Sequence, residues 1–318
     1  MKRFKFILPF YLMIISFVFI NSSHSYRAWP TGGGWTGHFT IYGAYKTSSG
    51  GRTIYGQGKI NVYLPKSYLK GYKRLPLLIG LPGWRAKADE WRTRAKIGRY
   101  AEKYNFIVAL VEVYTTAYET AYYRETNPRY KWGSIPGTVW IGNVVMPYLK
   151  KHFRIDLSGK RTGIFGLSTG GRGAVFLCQK YPKYFKACVS MSGDFDRVSL
   201  YEWCKKRRKN IMRHDPPSVT IYGHPARNKK IMERWKNVDN PSSDKNVNIL
   251  KKYGISVYLI HGKRDFAVPY EQSQDFYNKL KNAGVDVKGL FLPRAGHNWY
   301  LWREYVPLMF QYFSSKLK

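Results

Sequence analysis

Six short apolar runs, each bounded by turn-forming residues, constrain the fold of this chain more than any other feature of its sequence. They lie at residues 75–81, 106–113, 162–167, 187–193, 255–262 and 287–293. Continuous apolar runs of this length are typical of strands buried on both faces of a parallel sheet. Amphipathic segments long enough for helices lie between or after them, at residues 88–104, 138–152, 171–182, 271–284 and 299–316. Strands that alternate with helices predict a mostly parallel sheet covered on both faces, a three-layer α/β sandwich.

Two β-like segments, at residues 38–45 and 59–64, precede this alternation, and one polar segment interrupts it. The polar segment, at 197–252, contains "DPP" and "DNPSSD". We expect it to be inserted over one edge of the sheet, because a polar stretch of this length does not fit a short connection within a compact domain. The remaining pattern predicts a single α/β domain over residues 26–318.

The first 25 residues have the layout of a secretory signal peptide. Three basic residues precede an uncharged run at 6–20, and Ser23 with Ser25 gives a small-x-small cleavage pattern. The apolar run is short for a membrane span. The sequence therefore predicts a signal peptide over residues 1–25 and a secreted or periplasmic protein. The alternative is an uncleaved N-terminal anchor.

The chain is strongly basic, with 54 Lys and Arg against 19 Asp and Glu and a formal net charge of +35. Such a charge favours anionic surroundings, including lipid headgroups and acidic polysaccharides. The basic residues are spread along the whole chain and no nucleic-acid-binding motif is present, so we expect no nucleic-acid partner. Two explanations of the charge follow. One is electrostatic association with an anionic cell envelope, and the other is a lysine-rich proteome, which would give the same charge without any function.

The cysteines give no sign of a disulfide scaffold or a metal site. There are three, Cys178, Cys188 and Cys204, too few for a disulfide-dense fold. Cys178 and Cys188 lie in apolar stretches, where cysteine is usually a small buried residue. The sequence contains no CxxC motif and no His/Cys ligand cluster, so we expect no metal site.

One serine stands inside a glycine cluster in the stretch "GIFGLSTGGRGAVFL". Ser168 follows the apolar run at 162–167 and precedes an amphipathic segment, which places it at a predicted strand-to-helix turn. The pattern Gly-Leu-Ser-Thr-Gly is that of a nucleophile elbow, in which a strained backbone exposes the serine hydroxyl. Glycine is needed two residues away, at Gly166 and Gly170, because a side chain would not fit there. For the pentapeptide alone, the alternative is an ordinary glycine-rich turn.

Two further residues complete the pattern of a serine hydrolase, in which an acid and then a histidine follow the serine. Asp265 comes after the apolar run at 255–262, and His297 after the run at 287–293. A serine hydroxyl needs a base to accept its proton, and the base needs a carboxylate that fixes its tautomer. We therefore predict a catalytic triad of Ser168, Asp265 and His297.

The alternative acids are Asp194 and Asp196 in "MSGDFD", which follow the strand after the serine. We favour Asp265 because its strand directly precedes the strand that leads to His297. His261, inside "LIHG", is predicted to be a buried partner rather than a base.

The oxyanion of the reaction requires two backbone N–H donors. One is expected at Thr169, the residue after the nucleophile, and the other in the loop "GLPGWRAKADEW". We assign the second donor to Trp84, with Gly83 as the alternative. Aromatic rings can stack on sugars or on aromatic acyl groups, and we assign Trp132 and Trp299, near the predicted loops, to substrate binding on that ground. The alternative is that these rings belong to the core.

Together these motifs resemble the esterase D-like branch of the α/β-hydrolase superfamily, over about residues 55–316. The resemblance is carried by "GLSTGGRGA", "YPKYFKACVSMSGDFD", "VDNP", "IHGKRDFAVPYEQS" and "GHNWYLW". The branch includes feruloyl and acetyl-xylan esterases, S-formylglutathione hydrolase, enterochelin esterases and mycobacterial mycolyltransferases. The resemblance implies an α/β-hydrolase fold and a Ser-Asp-His hydrolase without a cofactor. The chain departs from the branch in its "GLPGW" loop, where relatives often have a His-Gly pair, and in its insertion at 197–252.

These features predict a serine esterase that cleaves small-molecule or polysaccharide-linked carboxylic esters, with carbohydrate and phenolic esters as the preferred classes. An acyltransferase would use the same acyl-enzyme and pass the acyl group to an acceptor other than water. A non-catalytic, basic envelope-binding protein is the third hypothesis. The complete triad argues against it, because a binding module does not need all three groups.

Overall fold

The computed structural model describes residues 32–47, 53–113, 115–121, 123, 135–206, 221–225 and 228–318. The predicted signal peptide lies outside these ranges. Eight strands form one sheet within them: β1 Gly34–Lys46, β2 Thr53–Leu64, β3 Leu77–Leu81, β4 Ile107–Val111, β5 Thr162–Leu167, β6 Ala187–Met191, β7 Ser256–Gly262 and β8 Val287–Leu292.

The strands follow the order β1-β2-β4-β3-β5-β6-β7-β8 across the sheet. The first two pairings, β1 with β2 and β2 with β4, are antiparallel, and all the others are parallel. Strands β3 to β7 are buried along their whole length, as continuous apolar runs predict. The predicted α/β sandwich with a mostly parallel central sheet is confirmed.

Helices cover both faces of the sheet. Their bounds are α1 Lys66–Lys70, α2 Glu90–Thr93, α3 Gly98–Tyr104, α4 Gly137–Val139, α5 Met146–His152, α6 Thr169–Lys180, α7 Arg197–Lys206, α8 Lys229–Glu233, α9 Asp244–Lys252, α10 Glu271–Asn282, α11 Trp299–Glu304 and α12 Val306–Lys316. A π-helical turn joins α4 to α5, and another follows α8. Across the described ranges, no helix combines the length and apolar character that a bilayer span requires.

Two helices predicted as continuous are divided. The segment at 88–104 breaks between α2 and α3, where Lys96 adopts a positive φ of 51°. The segment at 299–316 breaks at Tyr305, directly before a helix that has Pro307 in its first turn. Proline is favoured at that position, because the first N–H groups of a helix have no partner within it.

Successive residues of the central strands alternate between two hydrophobic layers. Ile79 and Ile164 pack in the layer under α5, α6 and α10. Their neighbours Leu78 and Phe165 pack in the opposite layer, under α3 and α12. The twofold periodicity of a strand places consecutive side chains on opposite faces, so a run that is apolar throughout serves both layers.

The described part of the insertion at 197–252 contacts helix α6 and the loops that follow β3 and β4 at the carboxyl edge of the sheet. Two buried arginines make this contact. Arg172 of α6 and Arg197 of α7 both donate to the main-chain oxygens of Ala117 and Asp239. One pair of carbonyl groups thus connects the serine helix, the loop after β4 and the insertion.

The turn between β5 and α6 is packed against the loop after β3. A Cβ atom at Gly166 would lie 2.3 Å from the main-chain oxygen of Gly170, and one at Gly170 would lie 2.3 Å from that of Pro82. Both distances are far below van der Waals contact with backbone atoms that have no freedom to rotate away. The glycines on either side of Ser168 are therefore required by the close approach of three backbone segments.

We expect Gly170→Ala to lower the free energy of unfolding by about 2 kcal/mol or more, because the new methyl group overlaps backbone atoms. Urea denaturation of the wild type and the variant, monitored by circular dichroism, measures this difference. Gly32→Ala is the matched control, since nothing lies within 4 Å of a Cβ atom there. Equal stability of the Gly170 variant and the wild type would contradict the packing described for this turn.

Candidate active site

Ser168 occupies the turn between β5 and α6 in a conformation that non-glycine residues rarely adopt, with φ 54° and ψ −128°. Its N–H donates to the main-chain oxygen of Met191, at the end of β6, over 2.8 Å. The residue is half-buried. The structure therefore places this serine at the carboxyl edge of the sheet, with the strained backbone that a nucleophile elbow would require.

The structure brings His297 and Asp265 together at the same edge. The imidazole Nδ1 lies 2.6 Å from Asp265 Oδ2, a length typical of a charge-assisted hydrogen bond. The carboxylate is completely buried, whereas the His297 side chain is 19% exposed. With Nδ1 donating to the carboxylate, Nε2 is the ring nitrogen left to take a proton from a hydroxyl group.

Both carboxylate oxygens of Asp265 have hydrogen-bond partners. Oδ1 accepts the N–H groups of Ala267 and Val268 at 2.9 and 2.8 Å, and Oδ2 faces both His297 and His261. Burial alone would raise the pKa of Asp265, but the hydrogen bonds from the two histidines outweigh it and hold that pKa well below its usual range. The carboxylate is thus ionised at neutral pH.

His297 is oriented by the elements on either side of it. The next residue, Asn298, caps α11, its Oδ1 accepting the N–H groups of Tyr300 and Leu301. The ring of Trp302 packs edge-on against the imidazole, with centroids 5.1 Å apart. The cap fixes the backbone and the indole limits rotation of the ring.

The alternative acids have other partners. Asp194 Oδ2 lies 3.8 Å from Nε of the buried Arg172. Asp196 Oδ1 accepts the N–H groups of Val198 and Ser199 in the first turn of α7. Of the three aspartates considered from the sequence, Asp265 is the one that contacts His297.

The two residues predicted to hold the oxyanion flank the serine. Thr169 is buried at the first position of α6, where helix N–H groups have no partner within the helix. A Cβ atom at Gly83, beside Trp84, would lie 3.2 Å from Ser168 Cβ, so this loop directly contacts the serine. The Trp84 side chain packs against an aromatic cluster formed with the insertion. The roles of Thr169 and Trp84 as donors remain predictions.

Trp299 is partly enclosed by other rings, with centroids 5.2 Å from Trp91 and 5.3 Å from Trp302. Its Nε1 donates to Glu90 Oε2 over 3.2 Å, which joins the histidine loop to α2. Trp132 lies outside the described residues. Their assignment to substrate binding remains a prediction.

Sequence reasoning missed several residues that shape the site. Asn298 had a recognisable signal, because asparagine before an apolar helical segment is typical of an N-cap. Glu112, whose Oε1 accepts the N–H of Ala88 in the loop after β3, had none, since the contact joins segments 24 residues apart. Among the described residues, no group of three or more His, Cys, Asp or Glu side chains is arranged to hold a metal ion.

The profile of the putative esterase family matches residues 52–313 of this chain. An acetyl esterase of Caldicellulosiruptor saccharolyticus is 25% identical over 250 residues, which are 76% of this chain and 85% of that protein. An S-formylglutathione hydrolase structure from Agrobacterium tumefaciens superposes with a TM-score of 0.63 at 16% identity, covering 89% of this chain and 96% of that one. A ferulic acid esterase structure superposes with a TM-score of 0.60 at 17% identity, covering 87% and 98%. The predicted α/β-hydrolase fold and carboxylic-ester hydrolase class are confirmed, and the chain belongs to the putative esterase family.

Proposed function

We propose that this protein is a serine esterase in which Ser168 is the nucleophile, His297 the base and Asp265 the residue that orients the base. The observation that carries the proposal is the 2.6 Å contact of His297 Nδ1 with a buried carboxylate, at the same sheet edge as the elbow serine. This arrangement supplies the three groups that acyl transfer through a serine needs.

In the proposed reaction, Ser168 Oγ attacks the ester carbonyl carbon while its proton passes to His297 Nε2. The carbonyl oxygen becomes an oxyanion, for which the N–H groups of Thr169 and Trp84 are the proposed donors. The C–O bond to the alcohol breaks, and His297 returns the proton to the leaving oxygen. Water then attacks the acyl-enzyme with His297 again as base, which releases the acid and restores the serine.

Ser168→Ala tests the proposal. We expect the variant to lose labelling by a fluorophosphonate probe and at least about a thousandfold in kcat on 4-nitrophenyl acetate, because the nucleophile is removed. Ser315→Ala, at an exposed serine of α12, is the matched control and keeps both activities. Labelling that persists in the Ser168 variant would place the nucleophile elsewhere.

Release of free acid in the presence of an added sugar acceptor distinguishes hydrolysis from acyl transfer.

We propose carbohydrate esters as the substrate class, ahead of phenolic esters. The proposal is supported by a cleft of about 710 Å³ at the same edge of the sheet as Ser168. The cleft is lined by hydroxyl, amide, carboxylate, amine and imidazole groups and by an aromatic ring, from His38, Thr40, Tyr42, Gln57, Gly58, Lys59, Lys87, Asp89, Glu112 and Val113. Donors and acceptors of both kinds beside an exposed ring suit a polyhydroxylated ligand better than a uniformly apolar one.

The cleft is connected to the proposed oxyanion loop. Lys87 and Asp89 continue the loop that contacts Ser168 at Gly83, and Glu112 follows β4, the strand adjacent to β3. A sugar ester could therefore bind along the loop after β3, with its acyl group at Ser168 and its sugar in the cleft.

We expect Tyr42→Ala and Gln57→Ala to raise KM for an acetylated xylo-oligosaccharide about fivefold each, the effect of losing roughly 1 kcal/mol of contact. Neither variant should change kcat/KM for 4-nitrophenyl acetate, which has no sugar to bind in the cleft. Tyr72→Ala is the matched control, since this tyrosine is 95% exposed and precedes β3 at the opposite sheet edge. An equal rise in KM for methyl ferulate would instead favour phenolic esters.

We propose that the protein is exported and held electrostatically at an anionic envelope. The basic, apolar and small-residue order of residues 1–25 and the net charge of +35 support this. Fractionation of cells with N-terminal sequencing would find a chain that begins near Tyr26 outside the cytoplasm, and a wash at 1 M salt would release it by screening its charges. An intact Met1 in a fraction that only detergent dissolves would overturn the proposal.

A further inference from the structure

A second histidine contacts the carboxylate of Asp265. His261 is the penultimate residue of β7 and is completely buried. Its Nε2 lies 3.2 Å from Asp265 Oδ2 and 3.1 Å from the main-chain oxygen of Val268, and its Nδ1 lies 2.7 Å from Ser273 Oγ. The proposed reaction gives this imidazole no step.

The partners of His261 determine where its proton lies. A carboxylate and a carbonyl oxygen only accept hydrogen bonds, so Nε2 must carry the proton and donate to both. In the neutral ring, Nδ1 then accepts the hydroxyl proton of Ser273, on α10. The imidazole thus joins the end of β7, the loop that carries Asp265 and helix α10 through three polar contacts.

The contact with Asp265 is shared with His297. Oδ1 is occupied by the main-chain N–H groups of Ala267 and Val268, while Oδ2 accepts from both imidazoles. Within the described part of the chain, the ionisable groups that contact this carboxylate are His261 from β7 and His297 from the loop after β8. Two imidazole donors therefore share the one carboxylate oxygen that faces His297.

We infer that His261 is a positioning residue for catalysis, which holds Oδ2 of Asp265 in line with His297 and reduces the charge that this oxygen presents to it. The inference rests on the proposed function, because it assigns His297 as the base. Without the Nε2 donor, the whole charge of Oδ2 would act on His297. The carboxylate would then attract the positively charged imidazolium more strongly, and it would lose one of the hydrogen bonds that hold it in place.

His261→Asn and His261→Gln form a matched pair. The amide of asparagine reaches only the place of Nδ1, whereas the amide of glutamine reaches the place of Nε2 and restores a donor. We expect the acid limb of the kcat/KM profile on 4-nitrophenyl acetate to move up by about 0.5 to 1 pH unit in the Asn variant, with kcat about tenfold lower. The Gln variant should keep the wild-type limb within about 0.2 pH unit, because the hydrogen bond to the carboxylate is retained.

Ser273→Ala keeps the imidazole of His261 but removes the hydroxyl group that contacts Nδ1. This variant tests the inference if the His261→Asn variant does not fold. It should move the acid limb in the same direction by a smaller amount. A limb that coincides with the wild type in every folded variant would overturn the inference, even if kcat falls, because a purely structural role lowers activity without moving the profile.

The wild-type enzyme separates this inference from the proposed function. If the wild type neither binds the fluorophosphonate probe nor hydrolyses the ester, the proposed function fails. If it does both and the limb of the His261→Asn variant is unshifted, the proposed function stands and the role of His261 alone is rejected.

Discussion

The left-handed backbone of Ser168 is the constraint on which the site depends. A non-glycine residue with φ 54° costs of the order of 1–3 kcal/mol, and it persists only where the surroundings hold it. Here the surroundings are parallel strands and a loop from β3 that approaches within van der Waals distance of the turn. The sheet holds the serine in a conformation that the isolated segment would not keep, and the glycines at 166 and 170 are the positions where this approach leaves no room for a side chain.

The other half of the site is held by polar contacts between neighbouring loops. Arg264 N–H donates to the main-chain oxygen of Ala295, so the loop after β7 is bonded to the loop after β8. Asp265 and His297 lie on these two loops, so the main-chain hydrogen bond between the loops sets the distance between the two residues. A buried carboxylate with four donors has no freedom to turn away from its histidine, which is the preorganisation that acyl transfer requires. The serine is thus held by backbone crowding, and its proposed partners are held by hydrogen bonds.

The fold and the central residues of the site could be predicted because they depend on local patterns. The apolar runs gave the buried strands, and the glycine spacing placed Ser168 at a strand-to-helix turn. Parallel strands end at one edge, so residues that follow successive strands, such as Asp265 and His297, are expected to meet. Long-range contacts were beyond this reasoning. The packing of Trp84 against the insertion and the cleft beside the β1–β2 hairpin depend on which distant segments become neighbours. The insertion could be located in the sequence by its polarity, but the hydrogen bond that joins Arg172 of α6 to Asp239 of the insertion had no periodic signal.

The shared carbonyl groups of Ala117 and Asp239 limit how this scaffold changes during evolution. Arg172, on the helix of the nucleophile, and Arg197, at the start of the insertion, both donate to the same two oxygens. A segment that replaced the insertion without supplying a carbonyl at the place of Asp239 would leave the buried guanidinium group of Arg172 short of an acceptor, a costly defect in a nonpolar interior. The insertion is therefore not an exchangeable module. New versions of it must arise by gradual change around fixed anchor points, and changes in the loop after β4 are constrained with it.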